Sequence, residues 1–339
     1  MNLTKPFHPG AATTLRPQRG LSLIELMISI TLGLIVMAAV LALFLNLTRN
    51  NSELAKTNRL IENGRFAIQV LQNDLVHAGF WGELKPAAPA AIPDPCLAVG
   101  GWDAAYKANM LGTPVLGYDS GSIPGSCTRV TGAQGNSDVL VVRHANTCTA
   151  GSANCDGAAD TGPHIQVSGC TTTPEAAYVV DSATFPLKDK NCTTIAARRK
   201  VVSNIYYVTN NTLMRVAFVN GVYPVAQPLI DGIEAFRVEY GIDTLGKNGA
   251  AVSPTNPGDG SADTFVSCAP CTLDQLSNVV AVKVHVLARN LEASPGYTDS
   301  KSYQLGETPA IDAANDDVKR HVFSSTVRLV NSSGRREVP

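Results

Sequence analysis

The sequence predicts an α+β protein in which one long N-terminal α-helix, membrane-spanning in its first half, packs its second half on an antiparallel β-sheet domain with long disulfide-clipped loops. Three observations predict it. Leu26 to Leu45 carries no charged residue. Apolar residues then recur every seven positions at Leu47, Leu54, Ile61, Ile68 and Leu75. Past residue 135 the apolar pattern changes to period two, and all eight cysteines lie beyond the apolar run. These are the signals of a spanning helix, a helix with one covered face, and strands in an oxidising compartment.

Residues 1–20 hold Lys5, Arg16 and Arg19 and no acid, so this arm stays cytoplasmic by the positive-inside rule. At about 1.5 Å per residue, the Leu26–Leu45 run covers roughly 30 Å, the thickness of a hydrocarbon core. The chain therefore can cross a membrane once and place its remainder in an oxidising compartment on the far side. Read from Leu21 to about His77, the helix is roughly 85 Å long. Leu71 and Ala78 join its apolar stripe, and Gly79 and Gly82 supply the stop. The divisions are a basic leader (1–20), a long helix (21–82, spanning at about 26–45) and a β-rich domain (83–339).

Residues 83–135 are rich in Pro, Gly and Ala and read as loops with short strands. After them, Asp138 to Arg143, Val201 to Thr209, Leu213 to Val219, Ile233 to Tyr240, Val279 to Ala288 and Val322 to Val330 are β-rich runs bounded by turn residues. Asn210-Asn211 reads as a hairpin turn, because Asn tolerates the left-handed conformation.

Several functions are excluded. The formal charge is −1 with no basic tract, which leaves nothing to track a phosphate backbone. No H-E-x-x-H, G-x-S-x-G or phosphate-binding loop occurs, so no catalytic residue, cofactor or metal is expected. His77, His285 and His321 read as solvated or hydrogen-bonded side chains. The acid-rich runs Asp259 to Asp263 and Asp312 to Asp317 gather oxygens as calcium loops do. The first has Thr264 and Pro270 where an EF-hand needs Gly and Glu, and both runs read as solvated loops.

The eight cysteines are Cys96, Cys127, Cys148, Cys155, Cys170, Cys192, Cys268 and Cys271. Cys148 with Cys155 clips a small Gly/Ala loop, while Cys96 with Cys127 and Cys170 with Cys192 are the sequential choice among 105 connectivities. Cys268-Ala269-Pro270-Cys271 has the spacing of thiol oxidoreductases and of half a zinc site. Neither a helix opening at the motif nor a second such pair accompanies it, so it reads as a structural disulfide.

Glu25 remains to be explained, since a carboxylate on a membrane segment costs about 2.5 to 3.5 kcal/mol even on lenient scales. A cleavable secretory signal ending near Val40-Leu41-Ala42 needs a shorter apolar stretch, and a plain anchor leaves the acid without a partner. Cleavage between Gly20 and Leu21 creates an α-amine one turn away, with a pKa of about 7.7 to 8.0, to share the desolvation.

The stretch Gly20-Leu21-Ser22-Leu23-Ile24-Glu25-Leu26 resembles the class III leader junction of type IV prepilins and type II secretion pseudopilins. The resemblance implies a pilin-like fold, a prepilin peptidase that cuts after Gly20 and methylates Leu21, and a Glu25 that guides docking into a filament. The first mature residue is often Phe in this family and is Leu21 here. Major pilins often carry a mid-helix proline, and none occurs between Pro17 and Pro86.

Residues Glu62 to Gly82, Leu229 to Gly241 and Arg320 to Leu329 resemble the PilW family of minor pilins. That likeness implies a subunit that primes pilus assembly and sits at the tip. Its implied companions are PilV-, PilX- and FimT-like minor pilins, the major pilin and a tip adhesin. The alternatives are a pseudopilin similar to GspJ, against which the length of 319 residues left after removing 20 argues, and a membrane-anchored periplasmic thiol oxidoreductase using Cys268 and Cys271.

Overall fold

A computed structural model describes residues 20, 22–119, 123–155, 157, 161–172, 175–253, 255–268 and 271–337. The chain divides into two units, residues 1–54 and 55–339. Helix α1, Leu23–His77, runs through both. In the first unit it is uninterrupted, and its apolar side chains from Leu23 to Leu47 are exposed. By length and composition it suits a bilayer.

In the second unit α1 is followed by α2 (Ala104–Gly112), α3 (Leu273–Ser277) and α4 (Val330–Ser333). The strands are β1 (Val115–Asp119), β2 (Asp138–Ala145), β3 (His164–Val167), β4 (Tyr178–Asp181), β5 (Arg198–Thr209), β6 (Thr212–Ala217), β7 (Gln227–Asp231), β8 (Ile233–Ile242), β9 (Thr264–Val266), β10 (Val279–Arg289), β11 (Ser302–Tyr303), β12 (Ile311–Asp312) and β13 (Arg320–Arg328). Among the described residues these strands pair antiparallel. A seven-stranded sheet runs β1-β2-β5-β3-β4 with β6 on β5 and β7 on β6; a four-stranded sheet runs β13-β10-β8-β9; β11 and β12 form a hairpin. The six β-rich runs of the sequence supply β2, β5, β6, β8, β10 and β13. Asn210 and Asn211, at φ 49° and 57°, make the turn between β5 and β6.

Residue size decides how α1 seats. The buried line on its second half is Leu60, Gly64, Ala67, Leu71 and Leu75. The sequence stripe through Ile61 and Ile68 is therefore displaced: both are half-buried on the flank, and Leu54 is exposed. The cause is Phe323 on β13, whose Cε2 would lie 2.2 Å from a Cβ at position 64. Only glycine lets helix and ring approach so closely, and Ala67 continues the narrow seat.

Polar anchors surround this seat. Asn63 donates to the Asp231 carbonyl at 2.9 Å, Gln72 donates to Ser325 Oγ at 2.6 Å, and Lys56 donates to the Ala293 carbonyl at 2.6 Å. Asp74 accepts from His144 Nε2 at 2.9 Å, Asn204 Nδ2 at 3.1 Å and Tyr206 Oη at 3.0 Å. One helix thereby fastens to both sheets.

The two sheets also meet directly. Asp138 accepts from the Val238 N–H at 2.8 Å and from Arg237 at 2.6 Å, and Ser137 Oγ accepts from the Phe236 N–H at 3.0 Å. A Cβ on Gly117 would stand 1.8 Å from the hydroxyl of fully buried Tyr240, so β1 and β8 approach only over a glycine.

Helix α2 corrects the reading of 83–135 as loops with short strands. Asp103 caps it by accepting from the Tyr106 N–H, and it buries Tyr106, Met110 and Leu111. Nine residues are too few for periodicity to stand out from a Pro/Ala-rich background.

The C-terminal tail finishes α1. Gly79 takes φ 72° just past the helix end. Asn331 Nδ2 donates to the Ala78 carbonyl at 3.2 Å, and Arg335 Nη2 donates to the Gly79 carbonyl at 2.6 Å. Carbonyls that a helix end leaves without partners are met by side chains from the far end of the chain.

Of the acids in the run 312–317, Asp312 and Asp317 are exposed, as a solvated loop expects, while Asp316 is held by a buried cation. Arg320 donates through Nε to Glu234 at 2.6 Å, through Nη1 to Asp299 at 3.1 Å, and through both terminal nitrogens to Asp316 at 2.7 Å. Asp312 accepts from Ser302 across the β11–β12 hairpin. In the other acidic run, Asp263 accepts from the Thr244 and Leu245 N–H groups.

The Arg320 hydrogen bonds hold the Asp316 carboxyl at about 2, and the Tyr303 and Arg320 hydrogen bonds keep Asp299 low against the opposing effect of burial. A depressed carboxylate pKa adds stability above the unfolded value near 3.8, and that stability is lost as pH falls toward 2. The stability gap between wild type and Arg320→Met should accordingly narrow as pH drops from about 4 to 2, measured by denaturant midpoint at each pH.

Crowding at Gly64 gives a second expected outcome. Gly64→Ala gains helix propensity yet overlaps Phe323, so it should destabilise the domain by about 1 to 3 kcal/mol. The cost should shrink in a Phe323→Leu background. Equilibrium unfolding of the four proteins of this cycle measures both effects.

Candidate functional site

Of the Gly20–Leu21 junction, where a peptidase would act, the structure describes Gly20. Gly20 is exposed, and a Cβ placed on it would meet nothing within 4 Å. Leu21 lies outside the described residues. Ser22 and Glu25 begin α1 reciprocally: Ser22 Oγ accepts from the Ile24 N–H at 3.3 Å, and Glu25 Oε2 reaches back to accept from the Ser22 N–H at 3.0 Å. This has the logic of a capping box, with an acid in the first turn facing the positive end of the helix dipole. Sequence reasoning gave Glu25 a partner only after cleavage. The S-x-x-E spacing of Ser22 and Glu25 was the signal for this earlier one.

Hydroxyls in the apolar segment are also satisfied within the helix. Ser29 donates to the Glu25 carbonyl at 2.7 Å and Thr31 to the Met27 carbonyl at 2.8 Å. No bare hydroxyl donor is then left on this stretch to oppose insertion.

All eight cysteines are paired, as Cys96–Cys127, Cys148–Cys155, Cys170–Cys192 and Cys268–Cys271. The first encloses α2 and β1, the second clips the loop after β2, and the third closes a span containing β4. Cys268–Cys271 comes just before α3, which opens at Leu273 with Thr272 and Gln275 in a capping box. The helix starts after the pair, so neither thiol would sit in the helix-start field of a redox cysteine, and Cys271 is buried as well. Asp94 approaches Cys96 and Cys127 closely, but sulfurs joined to each other offer a metal no thiolate.

A Ser–His–carboxylate chain that sequence reasoning missed lies on the four-stranded sheet. His285 Nδ1 meets Ser324 Oγ at 2.7 Å, and Nε2 meets Glu239 Oε2 at 2.9 Å. Glu239 also accepts the Glu307 N–H at 2.8 Å and lies 3.3 Å from Lys283. Its carboxylate is spent on holding the 299–313 segment against β8 and β10 as well as on the imidazole, which is the pattern of a brace across three strands. His77 Nδ1 lies 2.7 Å from the Asn73 carbonyl, and the His321 ring packs edge-on to Phe323.

Two families match the chain. Type IV pilus-assembly protein W matches residues 196–331, and the prokaryotic N-terminal methylation motif matches residues 15–41. The first interval holds two of the three segments that carried the resemblance, Leu229 to Gly241 and Arg320 to Leu329, and leaves out Glu62 to Gly82. No curated protein matches in sequence. Among solved structures, a type IV-like pilin from Thermus thermophilus is similar at 17% identity and a TM-score of 0.39, over 81% of this chain and 97% of that one.

The disulfides set an expected outcome for the full chain isolated without reductant. Alkylation after unfolding should label no cysteine, and after reduction it should label all eight. Peptide mapping reads the pairs, and a Cys268–Cys271 pair reduced before the other three under mild conditions would count against a purely structural bond.

Proposed function

Because the chain is a PilW-like type IV pilin, a minor pilin of the type IV pilus system with a prepilin signal and a membrane-anchoring helix, we propose that it primes pilus assembly and sits at the filament tip. In this reading residues 1–20 are a leader, a prepilin peptidase cuts between Gly20 and Leu21 and methylates the new amine, and residues 83–339 occupy the periplasm until the subunit enters the fibre. Association with other pilus components follows from the family. Here they are PilV-, PilX- and FimT-like minor pilins, the major pilin and a tip adhesin.

The observation that carries the proposal is the pairing of an exposed Gly20 with Glu25 at the third position of an exposed apolar helix. In the precursor Glu25 satisfies the Ser22 N–H. Cleavage puts a second donor, a charged amine, within about one turn of the same carboxylate. Both charges then enter the apolar interior of a filament together, where each offsets the other's desolvation. Catalysis has no part in this proposal: the sulfurs are bonded, and the Ser324–His285–Glu239 chain braces strands.

Mass spectrometry of the N-terminal peptide should find a chain beginning at methylated Leu21. Glu25→Ala should insert and be processed, yet enter pili poorly. Deletion should reduce sheared pili sharply while major pilin remains in the membrane. A chain starting at Met1 would defeat the processing, and full piliation in a deletion strain lacking a homologue would defeat the priming role.

A further inference from the structure

A cavity of about 320 Å³ opens between the Pro-rich turn after α1, the residues Val252, Ser253, Pro257 and Gly258, and the C-terminal tail. Its walls are largely apolar, with Pro89, Leu111 and Leu276 among them, and three cations line it: Lys85, Arg335 and Arg336. Among the described residues lining it there is no carboxylate. Apolar walls with a few convergent polar groups are the usual form of a small-ligand site.

The three cations differ in how far they are neutralised. Arg336 is engaged: it donates to the Asn278 side chain at 2.6 Å and lies 3.4 Å from buried Asp243. Arg335 is half-buried and donates to the Gly79 carbonyl, a helix-end dipole rather than a formal charge. Burial pushes its guanidinium down, and among the described residues no acid opposes that effect. Lys85 stands exposed at the mouth. A guanidinium uses its planar fork best on a carboxylate, and this fork has donors beyond the one given to Gly79.

We propose that this cavity binds a carboxylate with a small apolar body, the acid pairing with Arg335 while Lys85 draws it in and the apolar part rests on Pro89, Leu111 and Leu276. Such chemistry is offered by a peptide's C-terminus or by a free organic acid. The site stands apart from Gly20 and Glu25, and the proposal is independent of the role in pilus assembly.

The test is calorimetric titration of the full chain in detergent micelles with three probes: acetyl-Ala-Ala-Leu with a free carboxylate, the same peptide as its amide, and benzoate. The carboxylate peptide or benzoate should bind, and the amide should be weaker by about tenfold or more. Tighter binding of the peptide assigns a chain terminus as the natural source, and tighter binding of benzoate assigns a free acid. Lys85→Glu changes an exposed residue and should weaken binding about threefold or more while thermal stability holds. Arg335→Gln should abolish binding, and Arg335→Lys should retain part of it. Equal binding of acid and amide, no heat with any probe, or an unchanged affinity in Lys85→Glu would overturn the proposal.

Discussion

The sheet-bearing unit of this architecture depends on where one carboxylate goes. Asp74 lies on the face of α1 that must be dry, and a buried acid is tolerable only when its oxygens are met by donors. His144 on β2 and Asn204 and Tyr206 on β5 meet them. Those three side chains sit on neighbouring strands: Leu140 pairs with Tyr206 and Val142 with Asn204, so helix position and strand register are set by the same bonds. A one-residue slip of β5 would turn Asn204 and Tyr206 to the other face and leave the acid bare.

Around that anchor, bulk is arranged by its absence. Gly64 and Ala67 give up side chains so that Phe323 can lie against the helix backbone, and Gly117 gives one up to Tyr240. Apolar burial supplies the attraction, and these small residues choose the distance at which it acts. The large loops are handled differently. The Cys96–Cys127 span adds Tyr106, Met110 and Leu116 to the core, and its bond and the one from Cys170 to Cys192 limit the freedom of both spans in the unfolded chain.

Most of the regular framework was legible because long elements repeat their pattern often enough to be read. The helix from Leu23 and the strands β5, β8 and β10 are of this kind. Short elements were not legible: β1, β3, β4, β7 and β9 span three to five residues, and α2 makes barely two turns. The phase of the helix stripe was misread for another reason. Hydrophobicity marks Ile61 and Ile68, whereas the face was chosen by a glycine, which no apolar scale rewards. At the N-terminus, Glu25 announced itself by its cost in a membrane, but its bond to Ser22 required attention to capping. The Asp74 and Glu239 clusters escaped because their members lie tens to more than a hundred residues apart.

The tail that closes on α1 has a consequence for how the chain reaches its folded form. Asn331 and Arg335 reach carbonyls 253 and 256 positions earlier, so the end of the helix is completed by residues made long after it. Until they arrive, the helix end frays and the sheets lack part of their border. Contacts of such span form late, after nearer loops have closed. The short spans from Cys268 to Cys271 and from Cys148 to Cys155 can close long before. Sequence separation thus imposes an order on folding: local bonds first, and the seal from Asn331 and Arg335 onto the end of α1 last.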